Sequence, residues 1–243
     1  MKSKPFINAV EVSNSLLNLT KSASDKASVG KKEMTYINDF LSEQEINAWI
    51  NFIQSQNRIP VGLDGIKDNY RPGDIIGNYR LSIFNERLVD LWWKRIAHMF
   101  GSIWVNNNQI DESSNDNTKA LYKPVGINPL LRIIEYKQSG QLISHYDAPY
   151  IYNDKKQTLK SFIIYLTSNK TGSTQFIWDD QQHIPNHLKD FSDRENINSY
   201  EEMEFFPVAG NALVFDHRIL HRVLPTSELK IIIRTDIIYE KVE

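Results

Sequence analysis

The sequence predicts a mainly β protein with flanking helices. Three observations lead there. From Pro129 onward the chain is a succession of short runs rich in Ile, Phe, Tyr and Val, among them "LLRIIEY", "SFIIYL", "TQFIW", "EFFPV", "ALVFD" and "LKIIIRTDIIYE", separated by clusters of Gly, Asn, Asp and Pro. Upstream, two stretches repeat their apolar residues with the helical period. A length of 243 residues with 41% hydrophobic content suffices for one sizeable core, and strands at this spacing build a sandwich or a barrel.

Taken in order, residues 1–33 are rich in Ser, Asn and Lys without a period and read as a flexible N-terminal tail or docking arm. Residues 34–128 read as a supporting region of helices and strands, and 129–243 as the β core of the same domain. In "NDFLSEQEINAWINFIQ", Ser42 with Glu45 three positions on forms a capping box, and Ile46, Trp49, Ile50 and Ile53 form one apolar stripe, which reads as core. The stretch "RIPVGLDGIKDNYRPGDIIGNYR" is dense in Gly, Pro and Asp and predicts turns with short strands. A second helix is predicted in "NERLVDLWWKRIAHMF", where Leu88, Leu91, Trp92, Ile96 and Met99 share a face and His98 lies off it, in solvent. The polar segment 106–126, "NNNQIDESSNDNTKALYKPVG", reads as a long loop of the lid or substrate-contacting kind.

Composition narrows the chemistry. A formal net charge of -2 provides no general electrostatic footprint for nucleic acid or an anionic membrane, so neither is expected as a partner. The absence of cysteine excludes disulfides, thiolate zinc sites, iron–sulfur clusters and cysteine nucleophiles. Any metal must therefore be held by histidine, carboxylate and water. No signal-peptide core or membrane-spanning run is visible, and the cytoplasm is the expected location. There is no internal repeat, and nothing in the residues specifies an oligomeric state.

Six histidines are available, and one of them opens the segment "HYD" at His145 and Asp147. On an extended segment these two side chains point to one face, where a single ion reaches both. A third ligand would complete a two-histidine, one-carboxylate triad, the set that suits non-haem Fe(II) and leaves positions open. The candidates are His183, His187, His217 and His221. Pro185 interrupts the pair in "HIPNH", and "HRILH" lacks the glutamate of the zinc-hydrolase motif. If Asp216-His217-Arg218 is a turn, His221 lies on the following strand and can point into a barrel, while His217 sits at the rim in solvent. Taken singly, His145 reads as a loop histidine and His221 as a barrel-core one.

Four segments in order carry a resemblance: "YINDFLSEQE", "YKQSGQLISHYD", "YLTSNKTGSTQF", and "AGNALVFDHRILHRVLP" followed by "LKIIIRTDIIY". Together they resemble the Fe(II)/2-oxoglutarate-dependent oxygenases, in particular their prolyl-4-hydroxylase-like branch, over roughly residues 36–240 with the clearest motifs in 129–240. The resemblance implies a double-stranded β-helix (jelly-roll, cupin-like) catalytic core, Fe(II), 2-oxoglutarate as cosubstrate, and O2. It implies His145, Asp147 and His221 as iron ligands and Lys230 as the cation for the distal carboxylate of 2-oxoglutarate, with Tyr165 beside it. Arg234, on the same strand face as Lys230, is the competing cation; lysine offers a point charge where arginine offers a fork. Tyr136 reads equally as a cofactor contact or as core. The family's Gly-Gly before the threonine is Thr171-Gly172-Ser173 here, and the asparagine after its Tyr-Leu pair is Thr167. Neither change removes a ligand.

The implied reaction is oxidative decarboxylation of 2-oxoglutarate to succinate and carbon dioxide, coupled to hydroxylation of an unactivated C–H bond. Asp147 favours hydroxylation, because related halogenases lack that carboxylate. A free or carrier-linked amino acid is the expected substrate, with Arg80, Arg132 or Arg234 gripping a carboxylate and Trp178 a further candidate contact; a buried Arg132 without a task would be costly. The alternatives are a peptidyl proline or other protein side chain, bound in a groove walled by 57–75 and 106–126, and a non-enzymatic cupin-like binding protein.

Overall fold

The computed structural model describes residues 27–30, 34–60, 75–106, 118–179 and 199–242. Helix α1 spans Glu43–Gln54 and begins where the sequence places it. The Ser42 hydroxyl accepts the Glu45 backbone N–H at 3.3 Å, and the Glu45 carboxylate accepts the Ser42 N–H at 2.8 Å, so the capping box is closed in both directions. Helix α2, Glu86–Ile96, is capped by Asn85, whose side chain accepts the Leu88 N–H at 2.9 Å. The two apolar stripes meet at Trp49 and Trp92, with ring centroids 6.0 Å apart, and Phe40 packs edge-on to Trp92 and to Phe162 of the sheet. A buried ion pair ties the helices together: Arg95 Nη2 lies 2.6 Å from Glu45 Oε1. His98, in a short 3-10 turn after α2, is exposed as expected.

The strands in chain order are β1 Ala27–Gly30, β2 Met34–Ile37, β3 Ile59–Pro60, β4 Ile75–Phe84, β5 Ile103–Asn106, β6 Lys119–Ile127, β7 Leu130–His145, β8 Lys156–Tyr165, β9 Thr174–Asp179, β10 Ser199–Phe205, β11 Ala212–Asp216, β12 Leu220–Val223 and β13 Lys230–Lys241. Among the described residues they form one antiparallel sheet along the path β1-β2-β11-β8-β13-β7-β12-β9-β10, with β4 added beside β7 and β6 beside β13. The path curls because β7 serves both halves. Its first part, Leu130–Tyr136, pairs with β13 and β4, and its last part, Leu142 and His145, pairs with β12. At the corner Ser139 takes a positive φ of 64°, and a Cβ on Gly140 would meet the Lys137 carbonyl at 2.7 Å, so only glycine fits there. The result is the jelly roll, a double-stranded β-helix.

Alternation along the strands sorts two cores. Leu131 and Ile133 of β7, Phe162 and Ile164 of β8, Val214 of β11 and Ile231 and Ile233 of β13 pack outward onto the helices. Tyr136, Ile163, Tyr165, Leu213, Phe215 and Ile232 point the other way, into the barrel, against Phe176 and Trp178 of β9. Both faces of these strands are buried, which is why "LKIIIRTDIIYE" reads as a nearly unbroken apolar run.

Two stretches differ from the sequence expectation. Ala27–Gly30, within the segment read as tail, pairs with Met34–Ile37. Lys119–Ile127, within the segment read as loop, is β6. Pro124 lies beside the register shift between Ile238 and Tyr239 of β13, where the ladder is already irregular and a missing N–H is tolerated. Residues 61–74 and 107–117 of the expected groove walls, and most of the expected tail, lie outside the described residues.

Candidate active site

His145 is the last residue of β7, and its register partner across the ladder is His221 of β12. Direct pairing brings the two imidazole centroids to 4.2 Å. Asp147 follows two residues later and is fixed by its backbone N–H, which donates to the His217 carbonyl at 3.3 Å. One ligand atom from each of His145, Asp147 and His221 lies within 4.8 Å of the others, a group that can hold a metal ion.

The histidine tautomers are dictated by their neighbours. Nδ1 of His145 lies 2.8 Å from the Ile143 carbonyl, and Nδ1 of His221 lies 3.0 Å from the Ile219 carbonyl. A carbonyl can only accept, so each Nδ1 carries the proton and each Nε2 presents a lone pair. Burial, with His145 alongside, pushes the His221 pKa down to about 3, and the ring is neutral at physiological pH. Phe176 stacks on it and Phe215 meets it edge-on, making one side of the site apolar.

Asp147 is held from two sides. The Ser161 hydroxyl donates to Oδ2, and Arg234 Nη2 approaches Oδ1 to 2.8 Å. Burial by itself would raise the carboxyl pKa, but Arg234 and then the neighbouring histidines hold it far below the usual carboxylate range. Two imidazoles and one carboxylate therefore converge, which is the donor set that suits Fe(II) with open coordination positions.

Lys230 lies deeper in the barrel. It is wholly buried, its Nζ donates to the Gly172 carbonyl at 2.6 Å, and it sits 5.1 Å and 5.9 Å from the ring centroids of Tyr136 and Tyr165. Gly172 has φ +69° and would bring a Cβ to 2.7 Å from Thr226, so its carbonyl direction depends on glycine. Among the described residues Lys230 forms no ion pair, and burial pushes its pKa down to about 7. A buried ammonium facing aromatic rings fits a carboxylate brought by a ligand. Tyr165, whose hydroxyl is 3.1 Å from Thr174 Oγ1, has its pKa raised by burial and remains a neutral hydrogen-bonding group beside it.

Register places the remaining candidates on successive rungs of the inner face. One rung holds Asn78, Tyr136 and Lys230; the next holds Arg80, Ile134 and Ile232; the third holds Ser82, Arg132 and Arg234. Arg132 Nη1 lies 3.6 Å from Asp236 Oδ2, and Arg234 Nη2 lies 3.4 Å from Asp236 Oδ1. Burial lowers the Arg80 pKa, as do Arg132 and Arg234 nearby, and burial and Arg234 do the same to Arg132. Arg234 escapes this: burial opposes its charge, but Asp147 and Asp236 more than compensate. Trp178 is buried in the barrel-lining apolar cluster.

Three residues of this centre escaped the sequence reading. Ser161 supports Asp147, and Asp236 balances the arginines; the alternation Arg234, Asp236 on one strand face was the available signal. His217, expected at the rim in solvent, is only 4% exposed and lies 3.3 Å from Asp236, because its turn folds inward over the arginine cluster. His183 and His187 lie outside the described residues. Among the described residues no helix is long and apolar enough to cross a membrane.

Residues 131–235 match the family model of the 2OG-Fe(II) oxygenase superfamily. No curated protein sequence matches the chain. Among solved structures, a prolyl-4-hydroxylase from Pseudomonas putida superposes with a TM-score of 0.50 at 14% identity, covering 85% of this chain and 92% of that one. A prolyl hydroxylase from Trichoplax adhaerens, in complex with a hypoxia inducible factor oxygen degradation domain peptide fragment, gives 0.52 at 15% identity, covering 85% and 84%. SnoN, a non-haem α-ketoglutarate-dependent epimerase from nogalamycin biosynthesis, gives 0.53 at 12% identity, covering 86% and 77%. At these identities the likeness is one of fold.

Proposed function

We propose that this chain, matched over residues 131–235 by the 2OG-Fe(II) oxygenase model, is an oxygenase using iron and 2-oxoglutarate, and that it hydroxylates an unactivated C–H bond of a free or carrier-linked amino acid with His145, Asp147 and His221 as the iron ligands. The observation that carries the substrate class is the arginine cluster. Arg132 and Arg234 both face Asp236, Arg234 pairs also with Asp147, and Arg80 lies close enough to feel both guanidiniums, so three guanidiniums gather around two carboxylates. A substrate carboxylate completes that balance.

The iron and 2-oxoglutarate, when bound, supply the oxidation: one oxygen atom of O2 leaves in succinate, with carbon dioxide, and the other enters the C–H bond. The chain's part is placement. His145 and His221 present Nε2 lone pairs because their Nδ1 protons are held by Ile143 and Ile219. Ser161 and Arg234 fix the Asp147 carboxylate so that it does not rotate when the site fills. Lys230 and Tyr165 hold the distal carboxylate of the cosubstrate. Arg234 is the weaker candidate for that task, because it already touches Asp147, whereas the distal carboxylate lies at the far end of a five-carbon acid from the metal. Phe176 and Phe215 make the His221 side apolar. Tyr136, below Lys230, offers its ring face to the ammonium.

The test has two parts. Anaerobic titration with Fe(II) and 2-oxoglutarate should produce the visible charge-transfer band of the chelate, and His221→Ala should abolish it. Free amino acids should then stimulate succinate formation more than short proline-containing peptides. The opposite order would make the protein a peptidyl hydroxylase, and no band under competent conditions would remove the ligand assignment.

A further inference from the structure

Beyond the arginine rung the inner face continues to Phe84 and Leu130, which are register partners, as are Ser82 and Arg132. Here a cavity of about 340 Å³ opens, lined by Ser82, Phe84, Asn128, Leu130, Tyr150 and Tyr152, with exposed Glu86 also bordering it. That volume lies at the small end of ligand pockets. Its aromatic side chains are unusually bare for their size: Phe84 is 49% exposed, Tyr150 41% and Tyr152 38%. Yet the wall is rigid. Tyr150 and Thr158 exchange backbone and hydroxyl hydrogen bonds at 2.8–3.0 Å, Tyr152 N–H donates to the Lys156 carbonyl at 2.9 Å, and the two tyrosine rings pack edge to face at 4.7 Å.

A chain of side-chain contacts links the wall of this cavity to the candidate active site. Asn128 donates to Asp236 at 3.3 Å, and Asp236 faces Arg132 and Arg234, the latter touching Asp147. Lys230 lies two rungs from Arg132 and Arg234 in the opposite direction, so cosubstrate and cavity occupy opposite ends of the same face. Arg132 Nη1, at the junction, is buried and makes no hydrogen bond within 3.5 Å, its carboxylate neighbour Asp236 lying at 3.6 Å.

We propose that this cavity seats an aromatic group of the substrate while Arg132 holds the substrate's carboxylate, so that the substrate is a small aromatic carboxylic acid. The inference rests on the oxygenase reading above and specifies the side chain that an amino-acid substrate carries. One rung of an antiparallel ladder is roughly 7 Å, a step that a carboxylate two carbons from a ring largely spans. Edge and face contacts from Phe84, Tyr150 and Tyr152 suit an aromatic occupant, and the polar corner at Ser82 and Asn128 lies on the carboxylate side.

The experiment is calorimetric titration of the anaerobic Fe(II) and 2-oxoglutarate holoenzyme, and in parallel of the metal-free protein, with 3-phenylpropanoate, 3-phenylpropanamide and propanoate. The acid should bind about tenfold more tightly than the amide, and Arg132→Met should erase that difference. Phe84→Ala and Tyr152→Ala, both at exposed positions, should each weaken 3-phenylpropanoate by about threefold while leaving propanoate unchanged. Equal binding of acid and amide, no effect of the aromatic variants, or no binding of any probe overturns the inference. Formation of the Fe(II) chelate is scored separately: if it forms and the probes fail, only the cavity assignment falls; if it does not form, the ligand assignment falls, and the metal-free titration still decides the cavity.

Discussion

Arg234 Nη2 lies 2.8 Å from Asp147 Oδ1, whereas Lys230, two rungs away on the same strand face, touches no carboxylate among the described residues. Two cations that look interchangeable in sequence thus differ in their surroundings: one is paired with Asp147, the proposed metal ligand, and the other is buried against aromatic rings, where we propose that it binds an anion.

That division predicts different losses. Lys230→Met should weaken 2-oxoglutarate binding by about 10- to 100-fold, the value of a charge-assisted hydrogen bond. Arg234→Met should change it by less than about threefold in the metal-loaded protein, within the scatter of neighbouring substitutions. Equilibrium binding of 2-oxoglutarate to both variants decides this, and a larger loss in the arginine variant would transfer the carboxylate to Arg234.

Cosubstrate binding should also depend on pH through Lys230. Because burial brings its pKa to about 7 in the ligand-free protein, the ammonium is present below that pH and binding there needs no proton. Above it, binding must take up a proton, and affinity should fall by about tenfold per pH unit until the bound-state pKa is reached. Lys230→Arg stays charged and should flatten the profile. The same shift affects stability with the opposite sign: between pH 7 and the usual lysine range the unfolded chain binds more protons, so the ligand-free fold should gain stability as pH rises through that window. A flat binding profile in the unsubstituted protein would mean Lys230 is not the anion's partner.

Ser161 donates to Asp147 from the side opposite Arg234 and is fully buried. Ser161→Ala should therefore cost roughly 10- to 100-fold in metal affinity, as removal of such supporting contacts does. Competitive Mn(II) titration measures it, with circular dichroism as the control for folding; unchanged affinity would show that Arg234 alone orients the carboxylate.

Away from the site, Glu45→Ala removes both the reciprocal cap on Ser42 and the partner of buried Arg95. Leaving that buried guanidinium without its carboxylate should cost about 3–5 kcal/mol in denaturant unfolding. A loss below about 1 kcal/mol, the scale of a cap alone, would mean that Arg95 is satisfied by the Phe40 carbonyl, to which its Nη1 donates at 3.2 Å.

What the sequence by itself determined is local. Ser42 and Glu45 are three residues apart, the helical stripes repeat every turn, and the strands announce themselves by β-branched and aromatic runs, so the helix start, both helices and the β texture were legible. His145 and Asp147 could be nominated because they lie two residues apart, and His221 because four ordered segments resemble a known oxygenase family. Only the tertiary structure decided how distant strands align. The Lys230 and Tyr136 pairing, the Arg234 and Arg132 pairing, and the inward fold of His217 over Asp236 all depend on register between segments far apart in sequence. A slip of one residue would turn each of these side chains to the opposite face, and what prevents it is the burial of both faces of β13, a property of the assembled sheet that no single segment carries.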